Sequence, residues 1–217
     1  GGPVPHKQNG EGLTITTSNF NNLLITSKEP EPFTDVNDDD WFKQYVEDAY
    51  NYGLVDGTIA ETFDPNGAIT RAQLAVILAR AFELEPTSED SILSDIGDKW
   101  YASEVQALVD AGIIKGFSDG TFGGDKPVTR QQMALMLTRT VQSQGKDVTL
   151  PTKAELDKVK LGGLDKTSEE ASDAIKYLAL MEAVMSGPDI DFRPNSIATR
   201  AQATKVLVNT LPRTGLY

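Results

Sequence analysis

Apolar residues recur every three or four positions in several stretches of the chain, which is the spacing of one face of an α-helix. The first such set is Trp41, Tyr45, Val46, Ala49 and Tyr50. After a loop that contains glycine, a second set follows the same spacing at Leu74, Ile77, Leu78, Ala81 and Phe82. The pattern predicts two amphipathic helices joined by a loop.

This helix–loop–helix pattern occurs three times, at residues 41–82, 100–141 and 171–211, which we call repeats 1, 2 and 3. Gly53 and Gly112 are placed for helix C-caps. The aligned residues are Gly57, Gly116 and Gly187, taken to close the first helix, then Phe63, Phe122 and Phe192, then Arg71, Arg130 and Arg200. One helix pair of this size cannot bury its apolar face alone. We therefore expect the repeats to share one core, with the three phenylalanines anchoring the loops in it.

The second helix of each repeat begins at a Thr-Arg-x-Gln motif, which is the pattern of a capping box. Thr70 is then the N-cap, and Arg71 is the first helical residue, where the helix dipole disfavours a cation by roughly 0.3–1 kcal/mol. Arg130 and Arg200 repeat this placement. Free amides at a helix start and a guanidinium can together hold a carboxylate, so the motif favours an anion site. The alternative is that each arginine pairs with an acidic residue of the neighbouring repeat.

Composition and charge exclude several classes of function. The chain of 217 residues is 39% hydrophobic and 24% charged, as soluble globular proteins are. Its net charge of −12 disfavours nucleic acid as a partner, and no apolar run is long enough for membrane insertion. There is no cysteine, and the one histidine, His6, lies in the N-terminal tail, which argues against thiolate or multi-histidine metal sites and against Ser-His-Asp catalysis.

The acidic residues give no clear catalytic or metal-binding arrangement. No two of them recur in an arrangement suited to acid/base catalysis by a carboxylate pair, so we expect no enzymatic activity and no cofactor. The run at residues 37–40 lacks the spacing of a calcium loop. We interpret it as acidic residues that favour a helix start, with calcium binding as the alternative.

Residues 1–32 differ from the repeats and form a separate N-terminal segment. Leu13 and Ile15, then Leu24 and Ile25, suggest β-strands, so the segment is either a small strand pair, the last strands of an upstream domain, or a disordered stub. A proline-containing linker follows. The expected divisions are 1–32, then modules at 33–86 and 87–146, then 147–217, which holds a linker with an extra helical turn and the third module.

The motifs resemble those of the S-layer homology family. Residues 33–82 look like a nearly complete module, residues 93–141 are similar, and residues 192–207 keep the phenylalanine and the Thr-Arg-x-Gln motif of a third. Repeat 3 departs from the pattern because Ala171 stands where the other repeats have Trp41 and Trp100, and because it lacks the Phe-Ser-Asp-Gly-Thr-Phe loop. The departures put the third groove, with Arg200, in doubt.

The resemblance implies an all-α fold of three modules in a pseudo-threefold arrangement, which is a pseudotrimer within one monomeric chain. It implies that the chain anchors a surface protein non-covalently to the cell wall, outside the cell, in a Gram-positive bacterium. The implied ligand is a secondary cell-wall polysaccharide that ends in pyruvylated N-acetylmannosamine. In this family the sugar binds in grooves between modules, and the motif arginine is its recurring contact.

Further candidate ligand contacts lie at helix starts and in loops. They are Trp41, Trp100, Gly57, Gly116, Ser118 and Asp119. The tryptophans can pack against sugar rings or, alternatively, seal the core. The glycines are expected to allow a positive φ or a close approach of the backbone. The serine and the aspartate can bind sugar hydroxyls, although the aspartate followed by glycine is equally a turn signal.

A protein-interaction or S-layer self-assembly module is the competing function. Its grooves would hold a peptide or another subunit in place of a saccharide. Binding to pyruvylated wall polymer, and its loss when the pyruvate is removed, separates the two hypotheses.

Overall fold

Helices account for most of the ordered elements in the computed structural model, which describes residues 6–9, 12–15, 33–57, 61–88, 91–144, 150–185 and 187–213. The helices are α1 (Lys43–Asn51), α2 (Arg71–Ala81), α3 (Ala102–Asp110), α4 (Arg130–Ser143), α5 (Lys153–Leu156), α6 (Glu169–Leu180) and α7 (Arg200–Thr210). The strands are β1 (His6–Asn9), β2 (Gly12–Ile15), β3 (Leu161–Gly162) and β4 (Gly187–Asp191). Each repeat is one pair of helices, α1 with α2, α3 with α4, and α6 with α7, as the periodicity predicts.

The N-terminal segment contains a strand pair. β1 and β2 are antiparallel, with His6 opposite Ile15 and Asn9 opposite Gly12. This confirms the strand interpretation for the first part of the segment. Leu24 and Ile25 lie outside the described residues.

Each motif helix, α2, α4 and α7, begins at the predicted capping box. The Thr70 hydroxyl accepts the N–H of Gln73 at 3.2 Å, and the Gln73 side chain accepts the N–H of Thr70 at 3.0 Å. The same reciprocal pair starts α4 at Thr129 and α7 at Thr199. The arginine of the motif is consequently the first helical residue in all three repeats.

The first helix of each repeat ends before the loop glycine. Gly53 and Gly112 follow α1 and α3 with φ values of 68° and 72°, which confirms them as C-cap glycines, and Glu182 follows α6 with φ 53°. The loop glycines lie beyond these ends, at Gly57, Gly116 and Gly187. The interpretation that the loop glycines close the first helices is therefore wrong.

The helix ends shift the alignment of repeat 3 by one residue. Beyond the ends, the amides of Leu54, Ile113 and Ala183 donate to the carbonyls of Ala49, Leu108 and Leu178. The residues eight positions before Ala49, Leu108 and Leu178 are Trp41, Trp100 and Glu170. Glu170 thus stands at the tryptophan position, and the alignment of Ala171 with the tryptophans is wrong.

A closed ring of three backbone hydrogen bonds joins the residues that precede the motif helices. Ile69 donates its N–H to the carbonyl of Ala198 at 3.1 Å, and Ala198 donates to Val128 at 2.9 Å. Val128 completes the ring by donating to Ile69 at 3.0 Å. Their side chains are at most 1% exposed. Since every bond joins two different repeats, no repeat can satisfy these buried groups by itself.

The motif helices pack against the first helix of the next repeat, in cyclic order. α2 contacts α3, α4 contacts α6, and α7 contacts α1. The loop phenylalanines Phe63, Phe122 and Phe192 are 0%, 0% and 2% exposed, which confirms them as core anchors. The apolar core is therefore continuous across the repeats.

The insertion before repeat 3 contains the predicted extra helical turn. Helix α5 begins at a capping box of Thr152 and Glu155. Lys153 on α5 forms ion pairs with Glu169 and Asp173 of α6, at 3.1 and 2.7 Å. β3 pairs in parallel with β4. The insertion is therefore attached to repeat 3 at both of its ends.

The carboxylate of Asp110 holds the linker between repeats 1 and 2. Its oxygens accept N–H and O–H groups of Thr87 and Ser88 and the Nε2 amide of Gln106, at 2.6–3.2 Å. These bonds, the Ser88 hydroxyl first, hold the pKa of Asp110 far below its ordinary value. A carboxyl group with a lowered pKa stabilises the folded state above its unfolded pKa, and this stabilisation is lost as the pH falls.

We expect Asp110→Asn to lower the melting temperature at neutral pH, because the amide cannot accept the same set of bonds. The difference in melting temperature between the wild type and Asp110→Asn is fully present above about pH 4, the unfolded pKa of aspartate. It shrinks as the pH falls below that value. Thermal unfolding of both proteins between about pH 2 and pH 7 measures this. Asp39→Asn, at an exposed carboxylate, is the control. A difference between wild type and Asp110→Asn that does not change with pH contradicts the prediction.

Candidate functional site

The three motif arginines lie where one repeat meets the next. Arg71 of repeat 1 contacts the loop of repeat 2, Arg130 contacts the loop of repeat 3, and Arg200 contacts the loop of repeat 1. We call these places the 1–2, 2–3 and 3–1 junctions. Arg71 and Arg200 are only 9% and 7% exposed, and Arg130 is half-buried.

Each guanidinium makes the same two contacts with a phenylalanine of the next repeat. Nε of Arg71 donates to the carbonyl of Phe122 at 2.9 Å, and the guanidinium carbon lies 4.9 Å from the centre of the Phe122 ring. The other pairs are Arg130 with Phe192, at 2.8 and 4.4 Å, and Arg200 with Phe63, at 2.8 and 4.7 Å. The arginine side chains therefore link the repeats in a closed cycle.

The amides at the start of the motif helices are occupied by the same loops. In α2, the N–H of Arg71 donates to the carbonyl of Lys126 and the N–H of Ala72 to that of Gly124, both at 3.0 Å. The helices α4 and α7 bind the loops of repeats 3 and 1 in the same way, through the carbonyls of Ser196, Pro194, Gly67 and Pro65. The expectation that free helix amides help to hold an anion is therefore wrong, and any anion must rely on the guanidinium.

The motif arginines make no ion pair with the neighbouring repeat among the described residues, whose arginine ion pairs are those of Arg80, Arg139 and Arg193. The alternative that each motif arginine pairs with an acidic residue of the neighbouring repeat is therefore wrong. The arginine instead contacts a carbonyl group and an aromatic ring of that repeat. Burial lowers the pKa of all three guanidinium groups, and the charge of Asp95 partly offsets this at Arg71. The junctions thus hold three desolvated cations.

Two aspartates that the sequence analysis did not single out accept hydrogen bonds from the loops that contact Arg200 and Arg71. Asp35 accepts the N–H of Phe63 and that of the next residue, both at 2.7 Å. Asp95 does the same for Phe122 and the residue after it, at 2.6 and 2.8 Å. Gly163 holds the aligned position in repeat 3. The recurrence of Phe-Thr-Asp-Val and Leu-Ser-Asp-Ile ahead of repeats 1 and 2 was the available signal.

The two tryptophans are exposed. Trp41 and Trp100 are 56% and 65% exposed, so the interpretation that they seal the core is wrong. Each ring packs edge-on against the buried aromatic residue that follows it, Phe42 or Tyr101, with ring centres 5.3 Å apart. Lys205 of α7 lies 5.6 Å from the centre of the Trp41 ring, which places Trp41 at the 3–1 junction.

The loop residues differ in what holds them. Gly116 has φ 73°, and a β-carbon there would lie 2.9 Å from the carbonyl oxygen of Thr121, which confirms the expected close approach of the backbone. Asp119 accepts the N–H and the hydroxyl of Thr121 at 3.0 and 2.7 Å, as the turn interpretation predicts. Ser118 is exposed, and Gly57 is exposed at the end of the described range 33–57.

The acidic run before α1 is engaged in local contacts. Asp38 pairs with Lys43 of α1, and Asp40 accepts the N–H of Asn37 at 2.7 Å. Over the ranges that the structure describes, no three or more acidic, histidine or cysteine side chains are grouped to hold a metal ion. In the same ranges no helix has both the length and the apolar character needed to cross a bilayer.

A family model described as the S-layer homology domain matches the chain three times, at residues 32–75, 93–134 and 164–204. These matches cover more than half of the 217 residues. The chain belongs to the S-layer homology family. Each match spans one repeat from the residues before its first helix into its motif helix.

Relatives of this S-layer homology chain are longer proteins. An endoglucanase from Bacillus sp. (strain KSM-635) is 33% identical over 180 residues, which are 83% of this chain and 19% of that protein. The cellulosome-anchoring protein of Acetivibrio thermocellus is 28% identical over 160 residues, 70% of this chain and 34% of the relative. The S-layer protein sap of Bacillus anthracis is 26% identical over 180 residues, 82% and 21% respectively. The chain therefore spans about a third or less of each.

Family membership and these relatives support a cell-wall anchoring module at a bacterial cell surface. They point to an anchoring module rather than to a catalytic domain. The chain covers only 19% of the endoglucanase, so the name of that relative describes a much longer protein.

The cyclic order of the S-layer homology repeats changes which residues belong together. The sequence analysis assigns the missing tryptophan and the missing Phe-Ser-Asp-Gly-Thr-Phe loop to the groove of Arg200. Arg200, however, faces repeat 1, which has Trp41. The altered residues of repeat 3 lie at the 2–3 junction, where Glu170 pairs with Arg139 at 2.6 Å. The departures therefore affect the junction of Arg130, not that of Arg200.

Proposed function

We propose that this chain anchors a surface protein to a Gram-positive cell wall by binding a secondary cell-wall polysaccharide at the junctions between modules. The proposed ligand group is its terminal pyruvylated N-acetylmannosamine. The observation that carries the proposal is the set of three desolvated arginine cations that have no carboxylate partner among the described residues. Withdrawing an unpaired charge from water is costly, and a carboxylate on the ligand restores part of the lost interaction.

The bond from Nε to the loop carbonyl supports a role of the guanidinium in recognition. It fixes the orientation of the side chain before any ligand arrives, so binding costs less conformational entropy. The remaining N–H groups of the planar guanidinium suit a carboxylate such as that of a pyruvate ketal. The exposed rings of Trp41 and Trp100 offer apolar faces for the sugar.

We also propose that the modules at 33–86, 87–146 and 147–217 form a pseudo-threefold pseudotrimer and that the chain acts as a monomer. The ring of hydrogen bonds through Ile69, Val128 and Ala198 supports this arrangement, as does the cyclic packing of the helices. In such an arrangement the three junctions are candidate sites of unequal quality, because the 2–3 junction has Glu170 where the other junctions have tryptophan.

We expect Trp100→Ala and Trp41→Ala each to weaken saccharide binding by about tenfold at one junction, because each removes an aromatic face. Their melting temperatures should stay close to that of the wild type, since both side chains are exposed. Calorimetry with a pyruvylated N-acetylmannosaminide, together with thermal unfolding, measures both effects. Glu170→Ala is the matched control at the 2–3 junction and should change the affinity little. Equal effects of all three variants contradict the unequal junctions.

The ligand itself is tested with wall polysaccharide bound to beads. Retention of the wild type on pyruvylated polymer, and its release once the pyruvate is removed, is the expected result. Equal retention on both polymers contradicts recognition of the pyruvate. Binding to protein partners alone, with none to either polymer, supports the protein-interaction or self-assembly alternative.

A further inference from the structure

The 1–2 junction has a lysine where the other junctions have small residues. The carbonyl that accepts the amide of the motif arginine identifies the aligned position in each loop. It belongs to Lys126 at the 1–2 junction, Ser196 at the 2–3 junction and Gly67 at the 3–1 junction. Repeat 2 therefore places one more cation beside the arginine of repeat 1.

The two cations of this junction lie on one aromatic ring. The guanidinium carbon of Arg71 is 4.7 Å from the centre of the Phe117 ring, and Nζ of Lys126 is 4.1 Å from it. The residues aligned with Phe117, each five positions before the loop phenylalanine of its repeat, are Thr58 and Gly187. An aromatic ring in contact with two cations is thus a feature of repeat 2.

The backbone of repeat 2 makes room for this cluster. Gly123 has φ 68°, and a β-carbon there would lie 2.7 Å from Cε2 of Phe117 and 3.0 Å from Cδ of Lys126. The aligned residues Asp64 and Arg193 have similar φ values, 56° and 54°, but carry side chains. Glycine at this position therefore leaves the space that the ring and the lysine stem fill.

The carboxylates near the cluster, Asp119 and Asp95, accept hydrogen bonds from hydroxyl and backbone groups, and their charges also interact with those of Lys126 and Arg71. Asp119 accepts two bonds from Thr121, and Asp95 accepts two backbone N–H groups. Neither Arg71 nor Lys126 has an ion pair within the described residues, whose lysine pairs are those of Lys43, Lys153 and Lys176. Two like charges on one ring repel each other, and an anion bound to both of them relieves this repulsion.

We propose that Lys126, Phe117 and Arg71 form an anion subsite that makes the 1–2 junction the strongest saccharide site of the chain. This inference rests on the proposed function, and it adds to it a second cation and an inequality between junctions. The acid group of the saccharide binds both cations, and the half-buried Phe117 ring adds an apolar face. A neutral saccharide gains nothing from the second cation.

The test uses Lys126→Ser, which gives repeat 2 the residue that repeat 3 has naturally. The control is Lys115→Ser, which removes one positive charge from an exposed position of the same repeat. The probes are the methyl glycoside of pyruvylated N-acetylmannosamine and the same glycoside without pyruvate, titrated into the full chain by calorimetry. We expect Lys126→Ser to weaken binding of the acidic probe at its tightest site by about fivefold, and Lys115→Ser to change it by less than about twofold.

The salt dependence supplies a second readout, because removing a cation that contacts the ligand reduces the loss of affinity on adding salt. Phe117→Thr, which copies Thr58 of repeat 1, should weaken the same site. Wild-type affinity in both Lys126→Ser and Phe117→Thr, with binding still weakened in Trp100→Ala, overturns the subsite and leaves the proposed function standing. If the wild type binds neither probe, both the subsite and the proposed function are overturned.

Discussion

Replacing Phe63 with alanine is expected to lower the free energy of unfolding by about 3–5 kcal/mol. The ring is completely buried, and it packs against Phe33 with ring centres 5.5 Å apart. The guanidinium carbon of Arg200 also lies 4.7 Å from the centre of this ring. Truncation therefore leaves a cavity in the shared core and removes the surface on which repeat 3 rests against repeat 1.

Urea denaturation followed by far-ultraviolet circular dichroism measures this loss. Ile92→Ala is the control, because Ile92 is 72% exposed and its truncation should change the stability by less than about 0.5 kcal/mol. A loss below about 1 kcal/mol for Phe63→Ala contradicts the assignment of this ring to a tightly packed core.

Replacing Arg200 with alanine is expected to destabilise the fold by about 2–4 kcal/mol. Loss of the side chain leaves the carbonyl of Phe63 without its partner, which costs about 1–3 kcal/mol in a buried setting. Loss of the contact between the guanidinium and the ring adds about 1 kcal/mol. Arg200→Lys keeps the charge but lacks the Nε–H donor, so we expect an intermediate loss.

Arg193→Ala is the matched control, because Arg193 is an arginine of the same repeat whose side chain is 75% exposed. Its unfolding free energy should lie within about 0.5 kcal/mol of the wild type. Unchanged stability of Arg200→Ala would mean that the arginine serves the ligand alone. A loss of stability as large as that of Phe63→Ala, with saccharide affinity unchanged at every junction, would mean that it serves the fold alone.

The features that the sequence predicted are those determined within one repeat. The capping boxes at Thr70, Thr129 and Thr199 form from residues three positions apart, so the motif is sufficient to identify them. The helices follow from periodicity. The buried phenylalanines follow from the recurrence of one large apolar residue in a polar loop.

The features that the sequence missed depend on which repeat faces which. A repeat pattern does not tell whether the motif arginine contacts its own loop or the next one, so Arg200 was assigned to the wrong groove. For the same reason, the sequence did not predict that carbonyl groups in the loop of the next repeat accept the first N–H groups of each motif helix. In repeat 3 the misalignment has a local cause, because Glu182 takes the left-handed conformation that Gly53 and Gly112 take in the other repeats. Without a glycine there, the helix end gave no signal.

The closure of the contacts from repeat 3 back to repeat 1 has a consequence for how the chain unfolds under load. In open arrays of repeats the terminal units need polar caps and can peel away one at a time. Here the bond between Arg200 and Phe63 joins residues 137 positions apart, so no repeat is terminal in space. Deleting any one repeat uncovers two apolar faces rather than one. The chain should therefore resist fraying from its ends, and should yield to pulling in a single cooperative step.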